Sequence, residues 1–188
     1  MNVVDQAFQK IHREDFVPES LRDQAYVDAP LPIGSRQTIS QPSTVRMMLE
    51  WLDPQIGDVV LDIGSGSGWT TALLSQIVGS KGKVFAVEII PELVKFGRNN
   101  CKKAGIRNVK FFQAGKEYGL LEYSPFDRIL VSASSEELPT KLLTQLKVDG
   151  KLVIPVQDDI LEITKVSKRD FMSVIHPGFI FVPLVREY

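Results

Sequence analysis

Three glycines, at 64, 66 and 68, fall in the run Leu61-Asp-Ile-Gly-Ser-Gly-Ser-Gly-Trp69, with an acid, Asp62, two residues ahead of the first. Glycines so spaced allow a tight turn and let the backbone approach a ligand more closely than any Cβ would permit. A second acid, Glu88, stands twenty residues beyond Gly68, at the close of the next β-rich run, with Ile89 beside it. A carboxylate there is placed to accept hydrogen bonds from a ribose diol. The plain alternatives are a flexible turn for the loop and, for Asp62, satisfaction of backbone N–H groups in its own turn.

The spacing narrows the ligand. It is G-x-G-x-G, and Trp69 occupies the place where a dinucleotide fingerprint wants its third glycine for close helix packing, which disfavours NAD and FAD. No Gly-Lys-Ser/Thr follows, so a P-loop is excluded on pattern. Asp62 would repel a pyrophosphate but attract an ammonium group. S-adenosyl-L-methionine has a ribose diol, a cationic amino-acid end and no phosphate. Asp62, Gly64, Ser65, Gly66, Gly68, Glu88 and Ile89 are its candidate binding residues.

Such a loop needs a strand before it and a helix after it. Residues 58–63 read as a buried strand and 68–78 as a helix, followed by a strand at 83–88 and a helix at 91–104. That helix has Pro91 at its start and Gly105 just past its end. Strands at 109–113 and 126–133, a helix around 139–146 and a strand at 151–156 continue the alternation. The pattern predicts an α/β fold, doubly wound, with a mostly parallel sheet covered on both faces. Ahead of it, Val45, Met48, Leu49 and Leu52 recur at helical spacing, so a helix over 42–53 is expected, stopped by Pro54. Helical pieces precede it, and residues 28–42, with Pro30, Pro32 and Gly34, read as a long irregular segment of the kind that often carries function. β-rich runs at 160–166, 171–175 and 179–184, with no helix between them, predict an antiparallel extension at one edge. One domain over 1–188 is expected, with a substrate-side segment 1–53, a cofactor-binding core 54–156 and C-terminal strands 157–188.

Composition narrows the partners. The chain has 188 residues, 44% hydrophobic and 24% charged, and a formal net charge of −1, with a pI near 6.1. Disorder and fibrous classes do not fit, and no global positive field draws it to nucleic acid or a membrane surface. No apolar run approaches the roughly 20 residues that span a bilayer. The single cysteine, Cys101, cannot form an internal disulfide, and the first residues lack a signal-peptide pattern, so the cytoplasm and a monomer are the expectations. His12 and His176 lack metal-ligand spacing with other donors, so no metal is expected. Cys101 reads as a small packed or half-exposed thiol. Lys102, Lys103, Arg107 and Lys110 read as charges serving a helix end and solvent.

Several blocks together resemble the protein-L-isoaspartate O-methyltransferases and cover most of the chain. They are Asp15-Phe-Val-Pro18, Ala25-Tyr-Val-Asp28, Pro30-Leu-Pro-Ile-Gly34, Gln37-Thr-Ile-Ser-Gln-Pro42, the glycine run, Pro125-Phe-Asp127, Leu152-Val-Ile-Pro155 and Phe181-Val-Pro-Leu184. Many methyltransferases share the glycine run; the pairing of Pro-Leu-Pro-Ile-Gly with Gln-Thr-Ile-Ser-Gln-Pro is specific to this family. The resemblance implies a Rossmann-like methyltransferase sheet. It also implies methyl transfer from S-adenosyl-L-methionine to the free carboxylate of isoaspartyl residues in damaged peptides and proteins, with S-adenosyl-L-homocysteine as product. The ester then closes to a succinimide that reopens partly as normal aspartate, which makes the activity a repair. By the same resemblance Ser40 is the candidate active-site residue; its hydroxyl could hold the substrate carboxylate by a hydrogen bond, and Thr38 or Gln41 could assist. Ile33, Gly34, Ser35 and Arg36 approach the cofactor, and Glu88 contacts the ribose.

The chain also departs from the family's pattern. Where Gly-Asp-Gly is usual after the third strand it has Ala114-Gly115-Lys116, so Gly115 and Lys116 meet the adenine without the expected acid, which Glu117 could replace only through a shift of the loop. Arg36 adds a cation where a glycine is common. The small-residue run Ser132-Ala-Ser-Ser135 is followed by Glu136 and Glu137, and the tail at 185–188 ends before polar residues that some members add. From the residues alone, Ser40 reads as readily as a cap for the helix near Pro42. Two other functions stay open: a methyltransferase with another substrate, and a degenerate relative that binds the cofactor or a partner without catalysis. Against base methylation, no Asn/Asp-Pro-Pro-aromatic motif follows the fourth strand.

Overall fold

The computed structural model describes residues 2–185. Helix α1 (Val3–Lys10) is capped by the Asn2 side chain, which accepts from the Asp5 amide. Two 3-10 turns, Arg13–Phe16 and Glu19–Gln24, lead to a hairpin of β1 (Leu31–Gly34) and β2 (Gln37–Ile39), and α2 (Pro42–Leu52) follows. The core then alternates: β3 (Val59–Ile63), α3 (Trp69–Val78), β4 (Lys83–Glu88), α4 (Pro91–Lys103), β5 (Val109–Gln113), β6 (Phe126–Val131), α5 (Thr140–Thr144) and β7 (Leu146–Val156). The antiparallel strands β8 (Asp159–Lys165) and β9 (Phe171–Pro177) complete a seven-stranded sheet of order β5-β4-β3-β6-β7-β8-β9.

The two faces of the sheet follow from period-two alternation. Val60, Val84, Leu130 and Val153 turn to one face, where Met48, Leu49 and Leu52 of α2 and Ala72, Leu73 and Ile77 of α3 cover them. Leu61, Ile63, Phe85, Ile129, Leu152 and Ile154 turn to the other, against Leu142 of α5 and Tyr123. Parallel registers pair Ile63 with Val87 and Glu88 with Gln113, so the carboxyl ends of β3, β4 and β5 lie side by side. That is where an open α/β sheet binds its ligand.

The structure corrects three expectations. Residues 28–42 hold an ordered hairpin: Leu31 pairs with Ile39 and Pro32 with Thr38, and the turn at Ser35 and Arg36 takes positive φ (50° and 59°). Two successive left-handed residues make the tight turn whose twist matches a hairpin. The helix around 139–146 shortens to α5, because Leu146 already pairs with Phe126 and begins an eleven-residue β7. Residues 179–184 make a single bridge, Pro183 to Ser134, rather than a strand, since Pro183 has no N–H to continue a ladder. Of the two readings for Cys101 the packed one holds: it is buried, its Sγ 3.4 Å from the Gly68 carbonyl. The expectation for the tail falls on residues 186–188, outside those described.

Candidate active site

Glycine geometry sets the floor of the site. Gly64, Gly66 and Gly68 all take positive φ (77°, 48° and 85°), which side chains rarely adopt. A Cβ at Gly66 would stand 3.1 Å from Ile33 Cδ1 and one at Gly64 3.7 Å from the Ser132 carbonyl carbon. Helix α4 lies close beneath: a Cβ at Gly97 would meet the Gly66 carbonyl oxygen at 2.8 Å. Sequence reasoning passed over Gly97, although an isolated glycine inside a helical pattern is the signal for such close packing.

Above this floor is a cleft of about 560 Å³, in the range of small-molecule sites. Of the expected cofactor residues, Ile33, Ser35, Arg36, Gly64, Gly66, Glu88, Ile89, Gly115 and Lys116 line it, and so does Thr38. Ile63, Val87 and Ala114 add apolar surface, and Tyr118, Ser132 and Val182 complete the walls. Gly34, Ser65 and Gly68 shape the backbone around the cleft without lining it. Gly34 (φ 94°) leads into the hairpin turn, buried Ser65 has an unpartnered Oγ, and Gly68 starts α3.

Asp62 is the correction within this set. The pleat of β3 turns it away from the cleft, so that it is fully enclosed and accepts the Thr71 hydroxyl at 2.5 Å from α3. Its second oxygen has no partner. Burial, opposed by the Thr71 bond and assisted by the charge of Glu88, raises its pKa to about 7. Asp62 is not among the residues that line the cleft.

Glu88 sits where the sequence places it, nearly buried and facing the cleft. One oxygen accepts from the Ile89 and Ile90 amides (2.8 and 3.0 Å) and the other from Gly66 N–H (2.9 Å). The Gly64 and Ser65 amides donate to the Val87 carbonyl, and Gly68 N–H to the Ser65 carbonyl. Four loop amides are thereby committed within the protein rather than presented as an anion nest. A glycine floor that a Cβ would fill, a diol-accepting carboxylate and apolar walls fit an adenosyl group without phosphate. The loop after β5 presents Gly115 and Lys116, both exposed, and Glu117 pairs with Lys141.

A smaller cavity of about 250 Å³ opens beside the cleft, lined by Pro30, Thr38, Ser40, Gln41, Thr44, Ser132, Ile180, Phe181 and Val182. Thr38, Ser132 and Val182 line both spaces. Ser40 does not cap α2: the N-cap is Gln41, whose side chain makes no bond to the helix. Asp28 serves that end of the helix instead, accepting from the Ser43 amide (2.9 Å) and from Gln41 Nε2 (3.0 Å). Among the described residues neither the Ser40 nor the Thr38 hydroxyl has a hydrogen-bond partner, and no group of three or more metal-ligating side chains occurs. Among the described residues no helix is long and apolar enough to cross a membrane.

Comparison with known proteins agrees with this arrangement. Residues 1–188 match the family described as Protein-L-isoaspartate(D-aspartate) O-methyltransferase. A protein-L-isoaspartate O-methyltransferase of Methanopyrus kandleri is 46% identical over 99% of this chain and 84% of its own length. One from Pyrococcus horikoshii is 44% identical over 98% and 86%. A solved protein-L-isoaspartate O-methyltransferase superposes with a TM-score of 0.90 at 29% identity; the match covers 98% of this chain and 62% of that one. A Plasmodium falciparum structure of the same description, in complex with S-adenosyl-L-homocysteine, gives 0.88 at 27% identity, covering 100% and 92%. The chain belongs to the protein-L-isoaspartate O-methyltransferase family.

Proposed function

We propose that the chain methylates the free carboxylate of L-isoaspartyl residues in peptides and proteins, with S-adenosyl-L-methionine as donor. The observation that carries this is the shared wall: a cleft suited to an adenosyl group meets a small polar cavity at Thr38, Ser132 and Val182, with uncommitted hydroxyls at Thr38 and Ser40. The cofactor, when bound, supplies a methyl group on a sulfonium. Glu88 would hold the ribose side, Gly64 and Gly66 would let the backbone approach it closely, and Ile33, Val87, Ile89 and Ala114 would supply apolar surface for the adenine faces.

The acceptor needs no base, since a carboxylate is already ionised at neutral pH. The protein's work is then to place that carboxylate and keep water away. Ser40 and Thr38 donate hydrogen bonds to it, and Val182, Phe181 and Pro30 enclose it. Apolar walls also favour a transfer in which opposite charges disappear, because an ion pair loses solvation there.

Incubation with labelled cofactor and an isoaspartyl peptide, beside the same peptide with normal aspartate, tests the reading. Transfer to the isoaspartyl peptide alone is expected, with Ser40→Ala lowering kcat/KM by about tenfold or more. Equal labelling of both peptides, or of neither, refutes it.

A further inference from the structure

Arg13 opens the first 3-10 turn, yet its side chain is withdrawn from solvent, only 3% exposed. One terminal nitrogen donates to the carbonyl of Ala25 at 2.8 Å, with a longer contact to Val27 at 3.4 Å. The other donates to Ala29 at 2.9 Å and Ser40 at 3.0 Å, with Ile39 at 3.4 Å. The guanidinium also faces the Trp69 ring, 5.3 Å from its centroid, at the first residue of α3. Among the described residues its hydrogen-bond partners are all neutral carbonyls, and no carboxylate lies within ion-pair distance.

A buried cation bonded only to neutral carbonyls costs solvation energy, which the charge of Asp28 offsets only in part, and Nε is left without a partner. Burial lowers the Arg13 pKa to about 10, which leaves it charged at neutral pH. A neutral side chain would avoid that cost. What a neutral side chain lacks is a rigid fork able to bind several carbonyl oxygens at once. The segments so bound are 25–29 and 39–40. Pro30, next to the first, and Ser40, in the second, line the small cavity. Asp28 holds the same stretch from outside through Gln41 and Ser43.

We propose that Arg13 is a positioning residue for the transfer: it fixes the Ser40 peptide by its carbonyl, with Asp28 anchoring Gln41 and Ser43, so that the Ser40 hydroxyl is left free and aimed into the cavity. The proposal rests on Ser40 being the substrate contact. It joins three stretches distant in sequence into one device: Arg13 supplies the cation, residues 25–29 supply its carbonyl partners and the acid Asp28, and residues 39–43 are the segment that Arg13 and Asp28 hold.

Arg13→Lys keeps the charge but loses the fork, and surface Asp28→Ala removes the other anchor. In both variants the KM for isoaspartyl peptide is expected to rise about tenfold, while the KM for cofactor stays within about twofold. A merely structural role would lower the active fraction and kcat while leaving both KM values unmoved. Hydrogen exchange gives a readout independent of turnover: amides at 38–44 should exchange faster in the variants, with those of β3 and β4 unchanged. An unchanged peptide KM in both variants overturns the proposal, as does exchange that quickens equally in the central strands. Wild-type enzyme with no turnover on isoaspartyl peptide would instead refute the functional reading, and the exchange pattern would then decide the anchoring by itself.

Discussion

A carboxyl group enclosed by protein holds its proton to higher pH than one in water. Asp62, raised from 3.8 to about 7 chiefly by burial, binds a proton in the folded chain over a range where the unfolded chain has released it. The stability this provides is complete below about pH 4 and lost as pH rises to about 7. Asp62→Asn removes the titration, so in urea unfolding the variant should gain on wild type between pH 5 and pH 8, by on the order of 2 kcal/mol. A difference that is the same at both pH values would refute this. The sequence shows Asp62 beside the glycines but not the face of the strand it occupies. That depends on the pleat, and the pleat turns it to Thr71 of α3. Glu88 was legible because it ends its strand, where the side chain emerges at the rim. Ser40 as the active-site residue came from the resemblance; its uncommitted hydroxyl needed coordinates, since Asp28, fifteen residues before Ser43, does the capping.

Among the elements, α4 positions the glycine loop although it presents no side chain to the cleft. Gly97 lets its backbone lie against Gly66 and Gly68. Gly97→Ala forces helix and loop apart, and a destabilisation of about 1–3 kcal/mol is expected from such overpacking. Calorimetry should also show weaker binding of S-adenosyl-L-homocysteine, because the loop that moves is the floor of the cleft. Binding and melting temperature both equal to wild type would refute the close packing. The strands of the core were readable from their β-branched runs and βα spacing. The β1–β2 hairpin was not: it is four residues and three, with Pro32 inside it and Gly34 at its end, and both residues signal irregular chain. Its turn is built from Ser35 and Arg36 at positive φ, where glycine or asparagine would have announced it.

In the whole molecule, the N-terminal segment that carries Ser40 is fastened to the antiparallel end of the sheet. Trp51 at the end of α2 stacks on His176 of β9, with centroids 3.7 Å apart and planes 8° from parallel. Lys151 of β7 donates to the Trp51 carbonyl at 3.1 Å and to Glu162 at 3.0 Å. His176→Ala is expected to cost about 1 kcal/mol in denaturant unfolding and to change Trp51 fluorescence in the folded state. An unaltered midpoint and spectrum would argue against the stack. The antiparallel extension was legible as far as Pro177 from its alternating runs, but the continuation through 179–184 was not, because one bridge to Ser134 carries no periodicity.

Strand order also has a consequence for how the protein is made. β3 lies inside the sheet, with β4 on one side and β6 on the other. The glycine loop therefore emerges from the ribosome well before the chain that completes its surroundings. Ser40 emerges earlier still, yet α2 beside it is braced by His176, near the other end of the sequence. A nascent chain can form α3 and pair β3 with β4, but it has neither a finished cleft nor a steadied Ser40 segment. Donor and acceptor sites thus mature together, late in synthesis, and a prematurely terminated chain is left without either one complete.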